Sequence, residues 1–324
     1  MKEILVIHTG GTIAMSEDKE TGKVIPGDVN PLHETYALLS QIAKVTMDDF
    51  LNLPSPHITP EQMIKLSNYI HMKIEQKNFD GVVVTHGTDT LEETAYLLDL
   101  LHDGETPIIM TGAMRSSNEL GSDGPHNLIT SVRAAASDDA KGKGVLVVFN
   151  DEIHAAKYAT KTHTSNIATF QSPQSGPIGI ITKRGVLFHH NLVHREHYDT
   201  SSVSMNVVLL KAYAGMQKEL LQAVRTTEID GLVIEALGQG NLPPDLMEEI
   251  GHFIDNQIPI VMVSRCFNGI VQDIYSYDGG GRKLKERGVI LTNGLNGPKA
   301  RLKLLVTLEM NYNMEQLREA FSSN

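Results

Sequence analysis

Cysteine is all but missing from this 324-residue chain: Cys266 stands alone, so no disulfide can close within it. A disulfide-stapled fold is excluded, and a reducing compartment, read as the cytoplasm, is expected. Long apolar runs are also lacking, and no window is long enough to span a bilayer. Met1-Lys2-Glu3 passes at once into the apolar run Ile4-Leu5-Val6-Ile7, which is read as leaving no room for a signal peptide. Nor is there a long basic tract. With a formal charge of −11, nucleic acid and anionic membrane are not expected as partners. What is present, 41% hydrophobic and 21% charged residues, suits a globular protein with material for two domains.

Two stretches organise the chain. Val82-Val83-Val84 runs into Thr85-His86-Gly87-Thr88-Asp89-Thr90, and Ile4-Leu5-Val6-Ile7 runs into Thr9-Gly10-Gly11-Thr12. Each reads as a strand ending in a hydroxyl-rich glycine turn, which places polar groups at the carboxyl edge of a sheet, where open α/β sheets bind ligands. Asp89 reads either as a helix N-cap or as a site carboxylate. The presence of two such turns favours one site built from both. The Thr9–Thr12 turn fits neither Gly-x-Gly-x-x-Gly nor a Walker A pattern, which argues against nucleotide binding.

The pattern predicts an α/β protein. A larger N-terminal domain over 1–188 carries a parallel, Rossmann-like or flavodoxin-like sheet, with strands near 4–7, 44–47, 81–86, 107–110 and 144–149 and a hairpin over 178–188. Helices are expected at 32–43, after the Thr59 cap at 60–74, from 91 and from 122. A polar linker follows over 189–206, and then a smaller α/β domain over 207–324. Residues 15–31 read as a polar loop beside the Thr12 turn, a lid or else a passive excursion.

A threonine hydroxyl attacks only when a base takes its proton and donors hold the developing oxyanion. Gly10 and Gly11 let a substrate approach backbone N–H groups before Thr12. His86 reads as a packed, hydrogen-bonded histidine. Lys161, among small residues, is either a solvated lysine or a base made accessible by burial. The histidines at 189, 190, 194 and 197 match no closed zinc pattern, and no metal is assigned.

In combination these motifs are recognisable. Thr9-Gly-Gly-Thr-Ile-Ala14 and Val84-Thr-His-Gly-Thr-Asp-Thr-Leu-Glu-Glu-Thr94 resemble the bacterial-type L-asparaginases, including the glutaminase-asparaginases. The likeness continues through Thr111-Gly-Ala-Met-Arg115, Ser122-Asp-Gly-Pro125, Thr160-Lys-Thr162, Gly238-Gln-Gly-Asn241 and Pro298-Lys-Ala-Arg301. The resemblance implies hydrolysis of the asparagine side-chain amide to aspartate and ammonia, with no metal or organic cofactor. It implies Thr12 as nucleophile through an acyl-enzyme, and Thr88, Asp89 and Lys161 as a second polar triad. Asp89 would bind the substrate ammonium and Ser55 its carboxylate; Gly11 and Gly87 would border the pocket, and the Ala113 backbone the scissile amide. Asn241 would come from a neighbouring subunit, implying a homo-oligomer, usually a tetramer of intimate dimers. Three positions depart from the pattern: Val24 where many members place a loop tyrosine, Pro56 beside the serine, and Tyr275 in place of an acidic residue. They leave open a glutaminase-asparaginase or a weak amino-acid sensor.

Overall fold

The computed structural model describes residues 1–18, 21–26, 31–191, 194–292 and 294–322, which form two compact units, Met1–His197 and Tyr198–Asn324. In the first unit, β1 (Glu3–His8) leads through a 3-10 turn (Thr12–Ala14) into a short hairpin, β2 (Met15–Glu17) and β3 (Val24–Pro26). A second 3-10 segment (Pro31–Thr35) and the single-turn α1 (Tyr36–Leu39) precede β4 (Lys44–Asp49). Then come α2 (Pro60–Gln76), β5 (Gly81–Thr85), α3 (Leu91–Leu101), β6 (Ile108–Thr111), α4 (Gly124–Ala135) and β7 (Val145–Phe149). β8 (Glu152–Ala155), the two-residue strands β9 (Thr160–Lys161) and β10 (Phe170–Gln171), and the hairpin β11 (Gly179–Thr182) and β12 (Gly185–Phe188) complete the unit.

The main sheet has eight strands in the order β12-β11-β8-β7-β6-β5-β1-β4. The five strands from β7 to β4 are parallel, while β8, β11 and β12 each pair antiparallel with their neighbours. The sheet is therefore mixed, not purely parallel as the strand–helix alternation predicts. The difference arises because no helix separates β7 from β8, or β11 from β12, and a short turn can join only antiparallel neighbours.

Alternation along the parallel strands divides the core. Ile4, Val6, Val83, Ile109 and Leu146 pack with Leu128 and Val132 of α4 on one face. On the other, Leu5, Ile7, Val82, Val84, Met110 and Val147 pack with Leu66 and Ile70 of α2 and Leu91, Ala95 and Leu98 of α3. Ile4 to Ile7 are all fully buried, as expected of a strand covered on both faces. Thr59 and Gln62 form a capping box at the start of α2, with Thr59 N–H donating to Gln62 Oε1 at 2.8 Å. Such a cap contributes about 1 kcal/mol.

Three expectations change. The helix expected over 32–43 is a 3-10 segment followed by one α turn. Part of the loop expected over 15–31 is the β2–β3 hairpin; residues 19–20 and 27–30 of it lie outside the described residues. The first unit continues to His197, through part of the 189–206 stretch read as linker, whose residues 192–193 are also not described.

In the second unit, β13 (Val207–Lys211), α5 (Lys218–Arg225), β14 (Gly231–Ala236), α6 (Met247–Asp255), β15 (Ile260–Ser264), α7 (Gly281–Arg287) and β16 (Ile290–Leu291) precede α8 (Gly297–Glu309) and α9 (Met314–Ser322). Its four strands are all parallel, in the order β13-β14-β15-β16. No described helix is long and apolar enough to cross a membrane.

Candidate active site

From β1 the chain crosses to β4 on one side; from β5 it crosses to β6 on the other. The carboxyl ends of β1 and β5 therefore border a topological switch point, where open α/β sheets leave a crevice. His8 is in register with Thr85, and Thr85 with Thr111, so the turns after three strands begin level with one another. Their starts are tied together. Thr9 donates its N–H (3.1 Å) and its hydroxyl (2.8 Å) to Thr85 O, and His86 N–H donates to Thr111 O at 2.8 Å.

The glycines here are demanded by close approach. Gly10 and Gly11 have φ of 100° and 83°, and a Cβ on Gly11 would lie 2.3 Å from Gly87 Cα. A Cβ on Gly87 would in turn meet Ser55 Cβ at 2.8 Å. The segment after β4 is laid across the first turn by Leu53 N–H donating to Thr9 O at 3.1 Å. That brings Ser55 to the second turn, where its Oγ accepts from Asp89 N–H at 3.1 Å and its carbonyl from Thr90 Oγ1 at 2.9 Å.

The result is a cavity of about 210 Å³ lined by Gly11, Thr12, Ser55, Pro56, Gly87, Thr88, Asp89 and Lys161. Eight of the residues singled out from sequence thus converge. Lys161 enters from β9, and its Nζ donates to Thr88 Oγ1 at 3.0 Å and to Asp89 Oδ1 at 2.6 Å. Asp89 is not the N-cap of α3: Thr90 holds that position, and the Asp89 carboxylate is turned to the lysine. The Thr12 side chain makes no hydrogen bond among the described residues.

Ala113 is buried on the β6 turn and does not line the cavity, although its neighbour Met114 does. Asn241 and Tyr275 belong to the second unit. There Asn241 Oδ1 accepts from Gly281 N–H at 3.3 Å, and Tyr275 is 42% exposed. Val24 sits on β3 opposite Glu17 and is exposed; among the described residues no tyrosine lines the cavity.

His86 is packed, as its sequence context suggests. Its Nδ1 meets Gly87 O at 2.8 Å and its Nε2 meets Thr94 Oγ1 at 3.0 Å. Burial lowers its pKa from 6.5 to about 4, against the opposing pull of the Gly87 carbonyl, so at neutral pH it is an uncharged spacer inside the turn.

Two supporting residues lie within the quoted motifs, but the sequence assigns them no role. Glu92 Oε1, on the first turn of α3, accepts from Thr160 Oγ1 (2.9 Å) and from Lys161 N–H (3.1 Å), fixing the strand that presents the lysine. Besides its place in the Val84–Thr94 motif, its spacing three residues after Asp89 is the signal that both face one way. Asp123 receives the N–H groups of Met114 and Arg115 at 3.0–3.1 Å and so shapes the β6 turn. Among the described residues the histidines of the 189–197 stretch do not bring three ligands together.

The chain is also similar to known proteins along its whole length. Residues 3–194 match the family model described as Asparaginase, N-terminal, and residues 206–321 match the Glutaminase/Asparaginase C-terminal domain. A probable L-asparaginase of Deinococcus radiodurans is 38% identical over 99% of this chain and 98% of its own length. An L-asparaginase of Bacillus licheniformis is 35% identical over 95% of both. A crystal structure of a probable cytoplasmic L-asparaginase from Campylobacter jejuni has a TM-score of 0.88 at 29% identity, covering 99% of both chains.

Proposed function

Since the chain belongs to the asparaginase family in both of its domains, we propose that it hydrolyses the side-chain amide of L-asparagine, with Thr12 as nucleophile. The observation that carries this reading is the cavity at the β1/β5 switch point, where two threonines, a carboxylate, a lysine and a serine meet.

In this reading Thr12 Oγ attacks the amide carbon, the C–N bond breaks, and ammonia leaves carrying the hydroxyl proton. Water then cleaves the resulting ester, releasing aspartate and restoring Thr12. Thr12 opens a 3-10 turn, and the first turn of a helix leaves N–H groups without intrahelical acceptors, suited to a developing oxyanion. Thr88 Oγ1 already accepts from Lys161, so its own proton is available to the substrate or to water. The Asp89 carboxylate suits the substrate ammonium. Ser55 Oγ accepts from Asp89 N–H and keeps its proton for the carboxylate. We further assign Asn241 and Tyr275 to the site of a neighbouring subunit in a homo-oligomer, and the protein to the cytoplasm.

Ammonia release from L-asparagine, with L-glutamine in parallel, tests the reading. Thr12→Ala should lower turnover by on the order of 10³-fold or more while leaving the fold intact. Substantial residual activity would transfer the nucleophile's role to Thr88. Binding of asparagine that raises Tm with no ammonia from either amide would instead support a sensor. The departures at Val24, Pro56 and Tyr275 are the features that make the glutamine arm informative.

A further inference from the structure

A second cluster lies on the same sheet edge, outside the catalytic cavity. His8 ends β1 and Asp49 ends β4, and the two are directly in register, so their side chains leave the same face. His33, from the 3-10 segment Pro31–Thr35, closes over them: its Nε2 is 3.6 Å from Asp49 Oδ2 and its ring centroid 5.7 Å from that of His8. One ligand atom from each of the three residues falls within 4.8 Å of the others.

His8 is the informative member. It is 1% exposed, its Nδ1 is 2.8 Å from Thr85 Oγ1, and its Nε2 is buried without a hydrogen-bond partner. An orphaned polar atom in an interior needs a reason. The tautomer that donates from Nδ1 to Thr85 leaves a lone pair on Nε2. An outer hydrogen bond that orients the ring in this way is what metal-ligating histidines use. His33 and Asp49 are exposed, which leaves a path for an ion to enter.

We propose that His8, His33 and Asp49 bind a divalent transition-metal ion of the Zn²⁺ class. Two imidazoles and one carboxylate are a donor set that Zn²⁺ takes at about 2.0–2.2 Å, with water completing a tetrahedron. The three atoms, within 4.8 Å of one another, would be drawn in by rotation of the His33 and Asp49 side chains, both at the surface. Mg²⁺, which prefers oxygen ligands, is not suited. The ion would clamp the Pro31–Thr35 segment to the ends of β1 and β4, next to the strand that feeds the Thr9–Thr12 turn. It is a site for bracing the edge, separate from the chemistry of the amide.

Isothermal titration of the metal-free protein with Zn²⁺ alone, and with Mg²⁺ alone, tests this. One Zn²⁺ per chain, a rise in Tm with Zn²⁺ and no response to Mg²⁺ are expected. His33→Ala and Asp49→Asn change exposed side chains and should keep the metal-free Tm. Each should weaken Zn²⁺ binding by at least 10–100-fold, the range that loss of even an outer-shell partner causes. Binding that survives in both variants would move the ion to other histidines and overturn the assignment, as would equal binding of Mg²⁺ or no Zn²⁺ uptake. His8→Gln should lose binding too. Because it changes a buried position, the two surface variants carry the test.

Discussion

Lys161 is the residue on which the candidate site closes. Its ammonium donates to Thr88 Oγ1 and Asp89 Oδ1, and its side chain is only 16% exposed. A lysine held in this way has its charge balanced by one neighbour and its geometry fixed by another, so its contribution belongs to turnover more than to folding. Lys161→Met is expected to lower kcat by about 10²–10⁴-fold, the range of a lost proton-transfer partner. Circular dichroism and Tm should change little. Lys161→Arg should not rescue it, because a planar guanidinium neither fits the same two oxygens nor gives up its proton. Unchanged kcat in Lys161→Met would remove the lysine from the mechanism.

At the scale of elements, the β6 turn shows how a motif residue acts through structure. Asp123 stands at the start of α4, yet its side chain makes no cap bond to that helix. It reaches back to the N–H groups of Met114 and Arg115 and to Asn127 Nδ2. Asn127 Nδ2 also donates to Gly112 O at 3.0 Å. Asp123→Ala would leave the N–H groups of Met114 and Arg115 unmatched, and Asn127 Nδ2 with Gly112 O alone, in a region where Asp123 is 8% exposed and Asn127 1%. A loss of about 1–3 kcal/mol is expected for such orphaned groups. Urea unfolding checks it: the midpoint should fall at constant m, and an unchanged midpoint would mean that water replaces the carboxylate.

For the whole molecule, buried histidines set the acid limit. Burial lowers His86, His102 and His154 from 6.5 to about 4. Unfolded chains take up these protons as pH drops through 6.5, whereas the folded state takes them only near 4. The stability these groups allow is therefore whole above pH 6.5 and declines between 6.5 and 4. Asp99 works the other way: burial raises it to about 6, so its contribution is full below 3.8 and fades as pH rises through 6. Three groups outweigh one, and Tm should fall from pH 7 to 4.5; a flat profile would contradict this. Assembly can be tested at the same scale. If Asn241 completes a neighbour's site, mixing Thr12→Ala with Asn241→Ala subunits, each impaired alone, should restore part of the ammonia release. Mixtures no better than their components would count against a shared site.

Much of this protein was legible in its sequence because the signals are local. Apolar runs such as Ile4–Ile7 and Val82–Val84 announce strands buried on both faces, and a glycine pair before Thr12 announces a turn that only glycine tolerates. The Thr59–Gln62 box marks its helix for the same reason: all its partners lie within one turn. The 178–188 hairpin, β11–β12, was legible for the same reason, whereas folding alone decided that β8 pairs antiparallel with β7 and joins that hairpin to the main sheet. Folding also decided the contacts by which Lys161 reaches Thr88 and Asp89 across more than seventy residues of chain, a grouping the family resemblance implies, that Glu92 steadies it, and that His8, His33 and Asp49 share a corner of the sheet. Strand register and side-chain approach between distant segments are set by the closed core, and no window of sequence contains both partners of such a contact.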